Sequence, residues 1–108
     1  MRRGEIWWAE LPAPAGRRPV VLLSRNEAYA VRELVTVAPV TTRICRIPTE
    51  VPLGPAEGLP KACVVNVDTI TTIPRQTLTA AIGPLLAEKL TAVERSLMFA
   101  LGLVSRSQ

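Results

Sequence analysis

The sequence predicts a small, mainly β fold that ends in one helix. Short runs rich in Val, Ile and Thr are separated by Pro, Gly and charged clusters, the mark of short strands joined by turns. Ten prolines in 108 residues leave no room for long helices before the C-terminal quarter. From Pro84 onward the apolar spacing changes to threes and fours, which is helical. The length suits one domain over residues 1–108, with one core of ordinary size.

Taken in order, residues 4 to 10 read as a first strand, with Ile6 and Trp8 on one face and Trp7 on the other. Leu11 to Gly16 is a Pro/Ala/Gly loop. Pro19 to Arg25 is almost wholly apolar, as expected of a central strand covered on both faces. Asn26 to Glu33 is a polar connection with room for one helical turn, and Leu34 to Val40 is a β-branched strand. Thr41 to Arg46 is a basic loop, and Thr49 to Leu53 a short strand. Pro52 to Pro60, with three prolines and two glycines, reads as a surface loop. Cys63 to Val67, Thr69 to Ile73 and Leu78 to Ile82 are further strands, closed by Pro74 and Gly83. Leu86, Leu90, Val93, Leu97 and Leu101 then form the inward stripe of a helix that starts at Pro84 and stops at Gly102. A strongly bent small barrel would bury these strands and limit exposed edges.

The net charge of +4 is not spread evenly. Residues 17 to 46 hold six arginines and no lysine against Glu27 and Glu33, while the remaining seven basic and seven acidic residues cancel. Arginine offers the planar fork that suits phosphate, so this segment reads as a polyanion footprint as well as a solvated surface. Histidine is absent and Asp68 is the sole aspartate. That composition excludes a Ser-His-Asp or Cys-His site and offers no zinc-ligand or two-metal spacing, so no metal or other cofactor is expected. Cys45 and Cys63 are expected as reduced thiols of a cytoplasmic protein, since Glu5 and Glu10 interrupt any signal-like apolar run. The longest apolar stretch, Leu97 to Val104, is too short to cross a bilayer.

Four stretches occur in order: Arg3-Gly4-Glu5-Ile6-Trp7-Trp8, Arg17-Arg18-Pro19-Val20-Val21-Leu22, Val37-Ala38-Pro39-Val40-Thr41-Thr42, and Gly58-Leu59-Pro60-Lys61 leading into Cys63-Val64-Val65-Asn66-Val67-Asp68. Together they resemble the MazF/PemK-like toxins of toxin–antitoxin systems, over nearly the whole chain. The resemblance implies an SH3-like barrel of the CcdB/MazF/PemK type, acting as a homodimer. It implies a ribosome-independent endoribonuclease that cuts single-stranded RNA at short sequences and is held inactive by a cognate antitoxin. By that resemblance Arg18 and Thr41 are the central catalytic residues, and Asp68 matches an acidic residue used by some relatives. PemK-type relatives carry an Arg where this chain has Asn66, and a His near the first loop that this chain lacks, so only the Arg–Thr version carries over whole.

The chemistry is consistent with these side chains. RNA supplies its own nucleophile, the ribose 2′-OH, and the products are a 2′,3′-cyclic phosphate and a 5′-OH. A guanidinium at Arg18 stabilises the charge that develops on the phosphoryl oxygens; a guanidinium holds its proton too tightly to make a good base. Thr41 can donate to a phosphoryl oxygen or make a local backbone bond. Asp68 can serve as general base or merely turn the chain. On an extended strand Asn66 and Asp68 would share a face. Arg17, Pro19, Arg43, Arg46 and Asn66 are the candidates for holding RNA. Two rival readings remain: a non-catalytic RNA-binding barrel, and a CcdB-like gyrase-binding toxin. The second needs a C-terminal Trp-Gly-Ile tail, whereas this chain ends Val-Ser-Arg-Ser-Gln. The antitoxin is expected to be an acidic, partly disordered peptide lying over the basic face.

Overall fold

Seven short strands, β1 (Glu5–Glu10), β2 (Arg17–Leu22), β3 (Leu34–Thr41), β4 (Glu50–Leu53), β5 (Cys63–Asn66), β6 (Thr71–Pro74) and β7 (Leu78–Pro84), form one bent antiparallel sheet. A single turn, α1 (Ala28–Val31), joins β2 to β3, and α2 (Ala87–Ala100) follows β7. These elements come from a computed structural model that describes residues 1–103. The Val-Ser-Arg-Ser-Gln end, and with it Val104, lies outside the described residues.

Along the sheet the order is β4-β5-β3-β2-β1-β7, with β6 also paired to β3. Strand β3 is the hub. It pairs with β2 on one side, while residues 34 to 37 pair with β6 and residues 40 to 41 with β5. Pro39, which has no N–H to give, stands at that changeover. The path ends at β4 and β7 without pairing them, so the barrel-like sheet stays open there.

Both faces of the central strands are buried, which explains their near-continuous apolar sequence. Val20, Leu22, Val35 and Val37 join Ala9, Tyr29, Ile73 and Leu78 in one cluster. Ile6, Val21, Ala38 and Val40 point the other way, into a cluster with Val51, Val65, Val67 and the helix residue Val93. The period-two alternation thus feeds two cores from one sheet. Strand β1 joins β2 to β7 with two register shifts, between Ile6 and Trp7 and between Trp8 and Ala9.

Three expectations are corrected. The helix begins at Ala87 instead of Pro84, because Pro84 is still paired with Glu5 and Leu85 donates its N–H to the Gly4 carbonyl at 2.9 Å. Leu90, Val93 and Leu97 pack inward, but Leu86 and Leu101 are exposed, since they lie at the cap positions where the helix departs from the sheet. The Pro52–Pro60 stretch is a built corner instead of a loose surface loop. Glu57 and Leu59 are buried there, and Glu57 Oε1 accepts the Gly54 N–H at 2.6 Å. Gly102, at φ +70°, does close the helix, as a left-handed residue just past its C-cap. Polar ties hold α2 down: Arg3 to Glu94 at 2.6 Å, Lys89 Nζ to the Pro52 carbonyl at 2.6 Å, and Ser96 Oγ to the Pro48 carbonyl at 2.8 Å.

Candidate active site

Arg18 lies on β2 opposite Ala9 of β1, and Thr41 is the last residue of β3. The basic loop that follows Thr41 folds back toward the start of β4. The result is a polar cleft of about 360 Å³ lined by Arg18, Pro39, Thr41, Arg43, Glu50 and Asn66, with Cys45 and Thr69 at its margin.

Arg18 has an unusual atom. Its Nε is fully buried and has no hydrogen-bond partner among the described residues. A buried donor without an acceptor is costly, and it is the accessible part of Arg18 that an anion in the cleft would meet. The Thr41 hydroxyl oxygen accepts the Arg43 N–H at 3.1 Å, a local turn bond. That bond uses the oxygen and leaves the hydroxyl proton free to donate. Guanidinium and hydroxyl thus face one space, the arrangement needed to grip a phosphoryl group from two sides.

Glu50, the first residue of β4, was not singled out by sequence. Its Oε1 accepts two backbone N–H groups, from Cys45 and from Arg46, each at 2.9 Å. Arg46 sits at φ +58°, in the left-handed region. Successive N–H groups around such a residue form an anion-binding concavity, and here the chain fills it with its own carboxylate. The readable signal was an acid placed at a strand start directly after a run of arginines. Which carboxylate the loop would curl toward is a tertiary matter.

Asp68 stands differently from the extended-strand expectation. Strand β5 ends at Asn66, and residues 67 to 69 form a tight turn. The Asp68 N–H donates to Asn66 Oδ1 at 2.8 Å, and Asp68 Oδ2 accepts from the Thr49 hydroxyl at 2.6 Å. Its neighbours Asn66 and Thr69 line the cleft, whereas its own carboxylate is turned to Thr49. The other candidates are spread out. Arg17 lies over Trp8, with its Cζ 4.2 Å from the ring centroid, and pairs with Glu10 at 3.2 Å. Arg46 lines a second depression with Ile44, Pro52 and Val64, which shares Glu50 with the cleft. Pro19 lines a small apolar hollow next to the cleft, with Trp8, Val40, Leu59 and Cys63. Burial pushes the Cys63 thiol up, with the nearby Glu57 charge acting the same way. No helix among the described residues is long and apolar enough to cross a membrane, and no cluster of three potential metal-ligating side chains is gathered among them.

Residues 2–101 match the family of PemK-like, MazF-like toxins of type II toxin–antitoxin systems. The chain belongs to this family. Among PemK/MazF relatives, a probable endoribonuclease MazF5 of Mycobacterium tuberculosis is 38% identical over 92 residues, covering 84% of each chain. The M. tuberculosis toxin MazF-mt6 superposes with a TM-score of 0.86 at 36% identity, over 94% of this chain and 99% of that one. A mycobacterial endoribonuclease solved in complex with its cognate antitoxin gives a TM-score of 0.85 at 27% identity, over 97% of this chain and 98% of that one. The SH3-like, barrel-type architecture of these PemK/MazF toxins is thus shared across nearly the full described length.

Proposed function

We propose that this chain is a sequence-specific, ribosome-independent endoribonuclease toxin that cuts single-stranded RNA without a metal ion. The observation that carries this reading is the cleft itself: the Arg18 side chain and the Thr41 hydroxyl line one space, with Arg43 beside them, in a PemK/MazF toxin.

In this reaction the ribose 2′-oxygen attacks the adjacent phosphorus and the P–O5′ bond breaks, the 5′-oxygen leaving with the bonding pair and taking a proton from water. Arg18 takes the phosphoryl oxygens through its guanidinium and strengthens as charge builds there; a preorganised donor of this kind lowers the barrier by about 3 kcal/mol. Thr41 donates its hydroxyl to a second phosphoryl oxygen. Asp68 is assigned the 2′-proton, from the turn between two cleft residues, once its Thr49 bond opens. Arg43 and Asn66 border the reacting phosphate, and Arg17, Pro19 and Arg46 contact the strand on either side. The chain works as a single domain over residues 1–108, as a homodimer, in the cytoplasm. An acidic, partly disordered antitoxin covers the arginine-rich face and folds as it binds.

The test is incubation with a long single-stranded RNA in excess EDTA, beside Arg18→Ala and Asp68→Asn. The expected result is discrete cuts with 2′,3′-cyclic phosphate and 5′-OH ends, abolished in Arg18→Ala. Intact RNA across many sequences would sink the reading. A sharp slowing in Asp68→Asn supports the base assignment, and an unchanged rate reduces Asp68 to a turn residue.

A further inference from the structure

Beside the phosphate cleft lies the apolar hollow of about 120 Å³ formed by Trp8, Pro19, Val40, Leu59 and Cys63. Thr41 belongs to both walls. The hollow is built in advance. Leu59 is held by the Pro55–Glu57 corner, whose Gly58 takes φ +86° and whose Glu57 closes on Gly54. Arg17 stacks on the Trp8 ring, and Lys61 stands at the rim. An apolar dent beside a phosphate cleft, with cations at its edge, fits a flat ring attached to a phosphate.

We infer that this hollow is a nucleobase subsite: it takes the base flanking the scissile phosphate, packed against the part of Trp8 that lines the hollow and that Arg17 leaves uncovered, and so contributes to where the enzyme cuts. The inference rests on the proposed cleavage of RNA in the cleft. It follows from continuity. A phosphate between Arg18 and Thr41 leaves the attached nucleoside within reach of only a few surfaces, and on the Thr41 side the surface is this hollow. Stacking tolerates any base, so Trp8 supplies affinity, while the edges at Thr42 and Lys61 can read the base.

The experiment uses an oligoribonucleotide with one cut site and two variants of it, each with an abasic ribose on one side of the cut. Binding is read with a 2′-deoxy substitution at the attacking ribose, so it is measured even if cleavage is absent. For the wild-type protein, one abasic position is expected to weaken binding by about tenfold or more, and the other far less. In Trp8→Ala the intact oligomer is expected to bind as weakly as the abasic one. Trp8→Leu, which keeps apolar bulk without a π-face, gives the same comparison should the alanine variant fold poorly. Two outcomes would overturn the inference: no abasic effect in the wild type, or an abasic effect that persists unchanged in both Trp8 variants. Failure of cleavage alone would strike the nuclease reading and leave the binding comparison standing.

Discussion

Replacing Glu50 by alanine should loosen the arginine loop without touching the reacting groups. The carboxylate accepts N–H bonds from Cys45 and Arg46 and holds Arg46 in the left-handed region. Hydrogen bonds to a charged group contribute about 1.5–3 kcal/mol each when well buried. Here the bonds lie at the surface, and solvent reduces them to about 1 kcal/mol each. The left-handed backbone of Arg46 opposes them by about 1 kcal/mol. Removing both bonds therefore shifts the loop equilibrium by about 2 kcal/mol, or close to thirtyfold. If the pinned loop is the form that receives RNA, apparent affinity scales with the fraction of chains that keep it, which drops from about 85% to about 15% as net pinning goes from about +1 to about −1 kcal/mol. Steady-state cleavage of a short RNA should then show KM raised about fivefold, with kcat at saturation close to wild type. Glu50→Gln keeps a neutral acceptor at the same place and should recover about half of the loss. A fall in kcat at unchanged KM would refute this account and move Glu50 to the reacting atoms. So would a glutamine variant as damaged as the alanine one.

Two further predictions concern the scaffold. Gly4 sits at φ +91°, and a Cβ there would lie 3.1 Å from the Leu90 side chain, so Gly4→Ala should destabilise the fold by about 1–2 kcal/mol in urea denaturation. An unchanged midpoint would mean that α2 yields at no cost. The thiols should differ as well: Cys45 is exposed at the cleft margin, whereas burial raises the Cys63 thiol and keeps it protonated near neutral pH. Iodoacetamide should therefore modify Cys45 first, and bound RNA should slow that reaction; equal labelling of both thiols by mass spectrometry would contradict the burial of Cys63.

The strands were legible because their physics is local. Val20 to Leu22, and Val35 to Val40 apart from Thr36, are apolar on both faces, and the sheet does bury both. The helix stripe was legible through Leu90, Val93 and Leu97, but its start was not, because Pro84 is claimed by Glu5, a partner nearly eighty residues away in sequence. Arg18 and Thr41 were marked by motif, and the cleft joins them because β2 and β3 are neighbours in the sheet. The places of Asp68 and Glu50 depended on how two loops curl. Asn66 drew the Asp68 N–H into a turn, and the Cys45–Arg46 backbone captured Glu50. Side-chain-to-backbone bonds of this kind compete with strand geometry and leave little trace in residue spacing.

The pairing of β1 with β7 sets a schedule on the ribosome. Strand β1 emerges first and can form a hairpin with β2 early, but its other edge stays bare until residues 78 to 84 have left the exit tunnel. The helix that backs the first cluster comes later still. A nascent chain therefore holds Arg18 and Thr41 long before it has the finished sheet that fixes them. Synthesis of the site's residues and its arming become separate events, and the interval between them is set by how long the last strand and the helix take to emerge and dock.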